Sequence, residues 1–217
     1  MRRSVVLILA LSLTPPLAEA QGESGPTLAL GGDVLYDAPL AYQIRHRADA
    51  VGTEEAWREV FADLTPSMRE ADLAVANLEV PISPRYRERA SPRDLPVFRA
   101  PEEFLDALRA AGVDALTVAN NHAYDQGARG LRDTIRAAEQ RHVPLIGHGD
   151  DAQSAARARV ITAGRARIAI AAWTEGTNYR PTAEEGSRPC IAFLRDGTVR
   201  DTIVRALLWL GMISVYA

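Results

Sequence analysis

One cysteine, Cys190, is present among 217 residues, so no intramolecular disulfide can form and the fold must rest on its core. With no histidine or other base close to it in sequence, that thiol reads as buried and inert. Charge of one sign is also lacking. The net charge is −3, too weak to indicate nucleic acid as a partner. No apolar run reaches the roughly 20 residues that a membrane-spanning helix needs. Histidine is scarce as well: there are four, and none follows His148. Internal repeats and low-complexity tracts are absent.

What is present suits a globular α/β domain. Apolar residues make up 47% and charged residues 24% of the chain, enough for a packed core and unlike a disordered composition. The first twenty residues read as a secretory leader. Arg2 and Arg3 precede an apolar Val5 to Leu13, Pro15 and Pro16 break the run, and Ala18-Glu19-Ala20 offers a small-x-small cleavage site. Cleavage is expected near Ala20, placing the mature chain outside the cytoplasm. Residues 21–26 read as a linker, 27–205 as one domain and 206–217 as an atypical apolar tail.

Within the domain, strands and helices alternate. "TLALGGDV", "DLAVANLEV", "VDALTVAN" and "VPLIGHG" read as strands. Between them, "TEEAWREVFADLTPSMREA" (with Thr53 as N-cap), "APEEFLDALRAAG" and "ARGLRDTIRAAEQRH" carry helical spacing. This order predicts a mainly parallel sheet with helices packed on it. Ile82 to Val97 reads as an exposed loop. "ARVITAGRARIAIAAW" reads as a hairpin, "CIAFLRDG" as a further strand and "VRDTIVRALLWLG" as a helix.

Three of the apolar runs end in polar residues: Asp33; Asn77 and Glu79; and Asn120, Asn121 and His122. Carboxyl ends of parallel strands share one edge, where ligands and catalytic groups collect. Carboxylate and amide oxygens suit Mg²⁺, Mn²⁺ or Ca²⁺, and an imidazole widens the choice to Zn²⁺ or Fe. A histidine there can protonate a leaving oxygen. Each residue also has a plain structural use. Asp33 can cap a turn, Asn77 can bond loop backbone, Glu79 can be a solvated charge and the Asn pair can serve turn geometry. Asp125 can cap the next helix or hold His122 in one tautomer. His148 follows the fourth strand and is a further candidate for the same edge, whereas His46 and His142 read as surface residues.

The blocks "LGGDVL", "ADLAVANLEVPIS", "FRAPEEFLDALRAAGVDALTVANNHAYDQGARGLRDTI" and "VPLIGHGDDAQSA" resemble the bacterial capsule-synthesis proteins of the CapA, or poly-γ-glutamate biosynthesis, type. That family is similar in fold to calcineurin-like metallophosphoesterases. The resemblance implies an α/β fold, a four-layer αββα sandwich with mixed sheets, here incomplete at the C-terminus. It implies Asp33 and Asn121 as ligands of a divalent metal (Mn, Mg, Zn or Fe), with Asn77 or Glu79 near the bridging position and His122 as the catalytic histidine; Asp125, which can hold its tautomer, is grouped with it as catalytic. Implied partners are a polyanionic polymer or phosphoester substrate and membrane components of capsule synthesis. The chain departs from the phosphoesterases in having "DVL" for their Asp-x-His and Asn77 for an Asp. It also lacks their later histidines, and "LLWLGMISVYA" does not fit the family. Three functions are therefore expected as competitors: a metal-dependent phosphoester hydrolase in polymer assembly, a non-catalytic accessory protein, or an inactive truncated fragment.

Overall fold

The computed structural model describes residues 11–12, 25–84, 96–180 and 189–194. Its centre is the apolar run Leu73–Leu78 (β3), all six residues of which are buried. Burial on both faces requires a layer on each side, and the chain supplies them in turn.

One four-stranded parallel sheet has the order β2-β3-β4-β5, with β2 at Leu28–Val34, β4 at Ala115–Thr117 and β5 at Leu145–Ile146. Its neighbours are consecutive in sequence. Right-handed crossovers then place every connecting helix on the same face. These helices are α1 (Ala38–Val51), α2 (Thr53–Val60), α3 (Thr65–Glu70), α4 (Glu103–Ala110) and α5 (Gly127–Gln140). Phe104, Leu105 and Leu108 of α4 and Leu131, Ala137 and Ala138 of α5 are buried against the sheet side. Tyr36, Trp57, Phe61 and Phe104 form an aromatic cluster between the first helices and α4, with ring centroids 5.6–6.4 Å apart.

The expected hairpin covers the other face. β7 (Arg159–Ala163) and β8 (Ala166–Ile170) pair antiparallel around Gly164, and β8 alternates so that Ala166, Ile168 and Ile170 are buried. The turn glycine lies beside Asp72, where β3 begins, and Ala172 lies beside Gly147 after β5. β8 thus runs over the sheet from its amino edge to its carboxyl edge. The fold is mixed α/β, with helix, sheet and sheet layers of the αββα sandwich among the described residues. Leu11–Ser12 (β1), inside the expected leader, lie antiparallel to β8. The rest of that leader, the tail and the helix expected at "VRDTIVRALLWLG" fall outside the described residues.

Four expectations change. The long helix from Thr53 is two, because the chain turns at residues 61–64 before Pro66 starts α3. Gly52 (φ 86), not Thr53, caps α2, since it also ends α1 and turns the chain between them. α1 itself escaped the sequence reading, although Asp37 caps it by accepting from the Leu40 N–H and Pro39 sits in its first turn. Ile82 and Ser83 are buried rather than exposed, because Thr134 and Asp133 of α5 satisfy the Ile82 N–H and the Ser83 hydroxyl.

"VPLIGHG" also divides at Gly147. β6 (His148–Gly149) leaves the parallel sheet to pair antiparallel with β9 (Cys190–Ile191), while α6 (Ala152–Ala155) follows behind an Asp151–Ser154 capping box. Gly147 has φ +95, and a Cβ there would stand 2.8 Å from the Ala119 Cβ. Both the backbone region and the space favour glycine. Gly147→Ala is expected to cost about 1–3 kcal/mol, measured by urea unfolding, and to disturb the Ala119–Asn120 segment at the sheet edge.

Candidate functional site

The site is built on one rung of the parallel sheet. Asp33, Asn77 and Thr117 are direct partners across β2, β3 and β4. Asp33 joins this rung only because the register shifts between Leu30 and Asp33. Leu30 pairs with Val75, so unbroken alternation would set Gly32 opposite Asn77 and turn Asp33 to the other face. One extra residue in β2, at Gly31-Gly32, moves Asp33 onto the Asn77 side. A Cβ on Gly31 would lie 3.2 Å from the Ala76 Cβ, so the close approach favours glycine.

Asn77 is the hub of the edge. Its Nδ2 donates to Asp33 Oδ1 at 2.8 Å and to Glu79 Oε2 at 2.5 Å. Its Oδ1 accepts from Thr117 Oγ1 at 3.0 Å and from Asn120 Nδ2 at 3.2 Å. All the amide's hydrogen-bonding capacity is used, as its burial requires. The orientation is fixed by backbone. The His122 N–H donates to Asn120 Oδ1, and Asn120 Nδ2 donates to the Leu78 carbonyl at 2.7 Å. Asn120 therefore turns its NH₂ toward Asn77, which must answer with its oxygen and present its own NH₂ to the two carboxylates.

Glu79 is buried while Asp33 is exposed. Burial, and then the nearby Asp33 charge, push the Glu79 carboxyl above its ordinary value, partly offset by the Asn77 hydrogen bond. Such a group is uncharged in both folded and unfolded chains at low pH. It weighs against the folded state only as pH rises and ionisation is forced. Glu79→Gln is therefore expected to raise the melting temperature at pH 7. The gain should disappear as pH falls below the ordinary 4.5, as melts of both proteins across pH would show.

Beyond Asn120 the chain turns sharply, and His122 Nδ1 lies 2.7 Å from Asp125 Oδ2. Of the two roles open to Asp125, the contact made is the one with the imidazole; Gln126, at the cap position of α5, makes no side-chain cap bond. The Phe98 N–H also donates to Asp125 Oδ2 at 2.7 Å, and Gln126 Nε2 donates to the Phe98 carbonyl. The carboxylate accepts the Nδ1 proton and leaves Nε2 as the basic nitrogen, an assignment that follows from the partner. Phe98 packs on the imidazole with centroids 4.6 Å apart. Asn178 Nδ2 stands 3.4 Å from Nε2, and the Asn178 N–H donates to the Asn121 carbonyl at 2.8 Å.

Asp33, Asn77, Glu79, Asn120, His122 and Asp125 thus gather at one edge, with half-buried Asn121 in the turn between Asn120 and His122. His148 is engaged elsewhere, in the β6–β9 pairing, where burial and then Arg159 push its pKa down. His46 and His142 are exposed, and Cys190 is half-buried. Phe98, Gln126 and Asn178 were not visible as site residues, since each reaches the edge from a loop. Thr117 did carry a signal, as a polar residue inside an apolar strand.

The family model for bacterial capsule synthesis protein PGA_cap matches residues 27–202. This chain belongs to that family. It is 27% identical over 126 residues to the capsule biosynthesis protein CapA of Bacillus anthracis, covering 58% of this chain and 29% of that protein. It is 30% identical over 152 residues to a probable polyglutamine synthesis accessory protein of Mycobacterium tuberculosis, covering 67% of this chain and 38% of that protein. With the PGA biosynthesis protein CapA of Bacillus subtilis it shares 24% identity over 90 residues, or 42% and 23% of the two chains. In each case the match spans well under half of the relative's length.

Family membership is consistent with a divalent metal, and Asp33 and Glu79 have the oxygen chemistry for a hard cation. The arrangement does not fit a bridged metal centre. The point between the carboxylates is filled by N–H donors of Asn77, whose only oxygen is turned away to Thr117 and Asn120.

Proposed function

We propose that this protein acts outside the cytoplasm in the assembly of capsule or poly-γ-glutamate, through a metallophosphoesterase-like edge in which His122 exchanges a proton with an anionic substrate group. Family membership and the leader-like residues 1–20 support the setting. The observation that carries the chemistry is the buried His122–Asp125 pair at 2.7 Å, placed at the carboxyl edge of a parallel sheet. Asp125 holds the Nδ1–H, Phe98 packs on the ring, and Nε2, having taken a proton from solvent, gives it to the leaving oxygen of a phosphoester. Membrane components of the same assembly are the proposed partners.

Complementation of a deletion strain tests this. His122→Gln retains size and hydrogen bonding but cannot act as general acid or base. It is expected to lower polymer output about 100-fold or more, with circular dichroism unchanged. Wild-type output from His122→Gln would overturn the proton-transfer role.

A second reading, a non-catalytic accessory that binds polymer or partner, is favoured by the Asn77 amide at the bridging point. Under it, His122→Gln complements fully, while the purified wild-type protein turns over no phosphoester.

A further inference from the structure

We propose that Asn77 stands in for a bridging cation, holding Asp33 and Glu79 together through its two N–H donors, and that Asn77→Asp would convert this edge into a divalent-cation site. Two carboxylates brought close in a partly buried place repel each other and require a positive counterpart. In this protein the counterpart is the NH₂ of a neutral amide, at 2.8 Å from Asp33 Oδ1 and bonded also to Glu79 Oε2.

Turning the amide over does not open a cation site. A flipped Asn77 would set its oxygen against two carboxylates and its NH₂ against Asn120 Nδ2. Asn120 cannot turn in compensation, because the His122 N–H and the Leu78 carbonyl fix it. The chain from two backbone groups through Asn120 to Asn77 therefore keeps a donor between the acids. Replacing that donor by a carboxylate reverses the local sign. Asp33, the new carboxylate and Glu79 would form an all-oxygen set that is unstable alone and matched to a hard cation such as Mn²⁺.

The test is uptake of Mn²⁺ by the full chain, without substrate, so its result is separate from that for the polymer reading. Wild type should bind no stoichiometric Mn²⁺ by titration calorimetry and should melt alike in EDTA and Mn²⁺. Asn77→Asp should melt lower than wild type in EDTA, recover in Mn²⁺, and bind at least tenfold more tightly than wild type. Stoichiometric wild-type binding that Asp33→Asn removes would overturn the inference, as would a folded Asn77→Asp protein that takes up no Mn²⁺. Should Asn77→Asp fail to fold, the wild-type and Asp33→Asn titrations still decide whether the native amide excludes the ion.

Discussion

A buried primary amide must satisfy two donors and an acceptor at once, and the edge of this sheet is arranged around that demand at Asn77. Its oxygen is claimed by Thr117 and Asn120, its nitrogen by Asp33 and Glu79. Each partner is in turn placed by backbone. Thr117 and Asp33 share its rung, Glu79 is two residues along the same strand, and Asn120 is pinned by Leu78 and His122. The amide ties β2, β3 and β4 together on the last rung that all three share. The turn carrying His122 begins from the same network, so the His122–Asp125 pair is linked to the carboxylates through Asn77, Asn120 and the His122 N–H.

The glycines act on this edge through geometry rather than chemistry. The Gly31-Gly32 bulge changes the face on which Asp33 emerges, and without it the rung would hold a glycine opposite Asn77. Gly147 ends the fourth strand and lets Ala119 and Ala172 approach, which brings the carboxyl end of β8 up to the edge. Beyond β8 the chain continues into the loop that delivers Asn178 to the imidazole. A backbone irregularity in one strand and a left-handed residue after another thus determine which side chains meet.

Much of this was legible in the residues. Alternating apolar runs and helical spacings place the strands of the parallel sheet and most of its helices, because burial imposes those periods on the sequence. Strand ends in Asp33, Asn77, Glu79 and Asn120 to His122 predict a shared edge by the geometry of parallel sheets alone. Three features resist such reading. The α1 helix has a weakly amphipathic pattern, with Ile44 as its buried residue, so periodicity hardly marks it. Phe98 and Asn178 come from loops, where sequence spacing has no period to follow. The direction of an amide is invisible in sequence, and at Asn77 that direction separates a cation-binding edge from a hydrogen-bonded one.

The edge carries carboxylates at both ends, Asp33 and Glu79 beside Asn77 and Asp125 beside His122. At one end Asp33 and Glu79 present carboxylates that repel a phosphoester or polymer carboxylate, by about 4 kcal/mol for unit charges 4 Å apart at an effective dielectric constant of 20. At the other end Asp125 holds the His122 Nδ1–H and Asn178 Nδ2 lies 3.4 Å from Nε2, with Phe98 walling the ring. The carboxylates tied by Asn77 and the imidazole held by Asp125 are thus two ends of one edge, joined through Asn120.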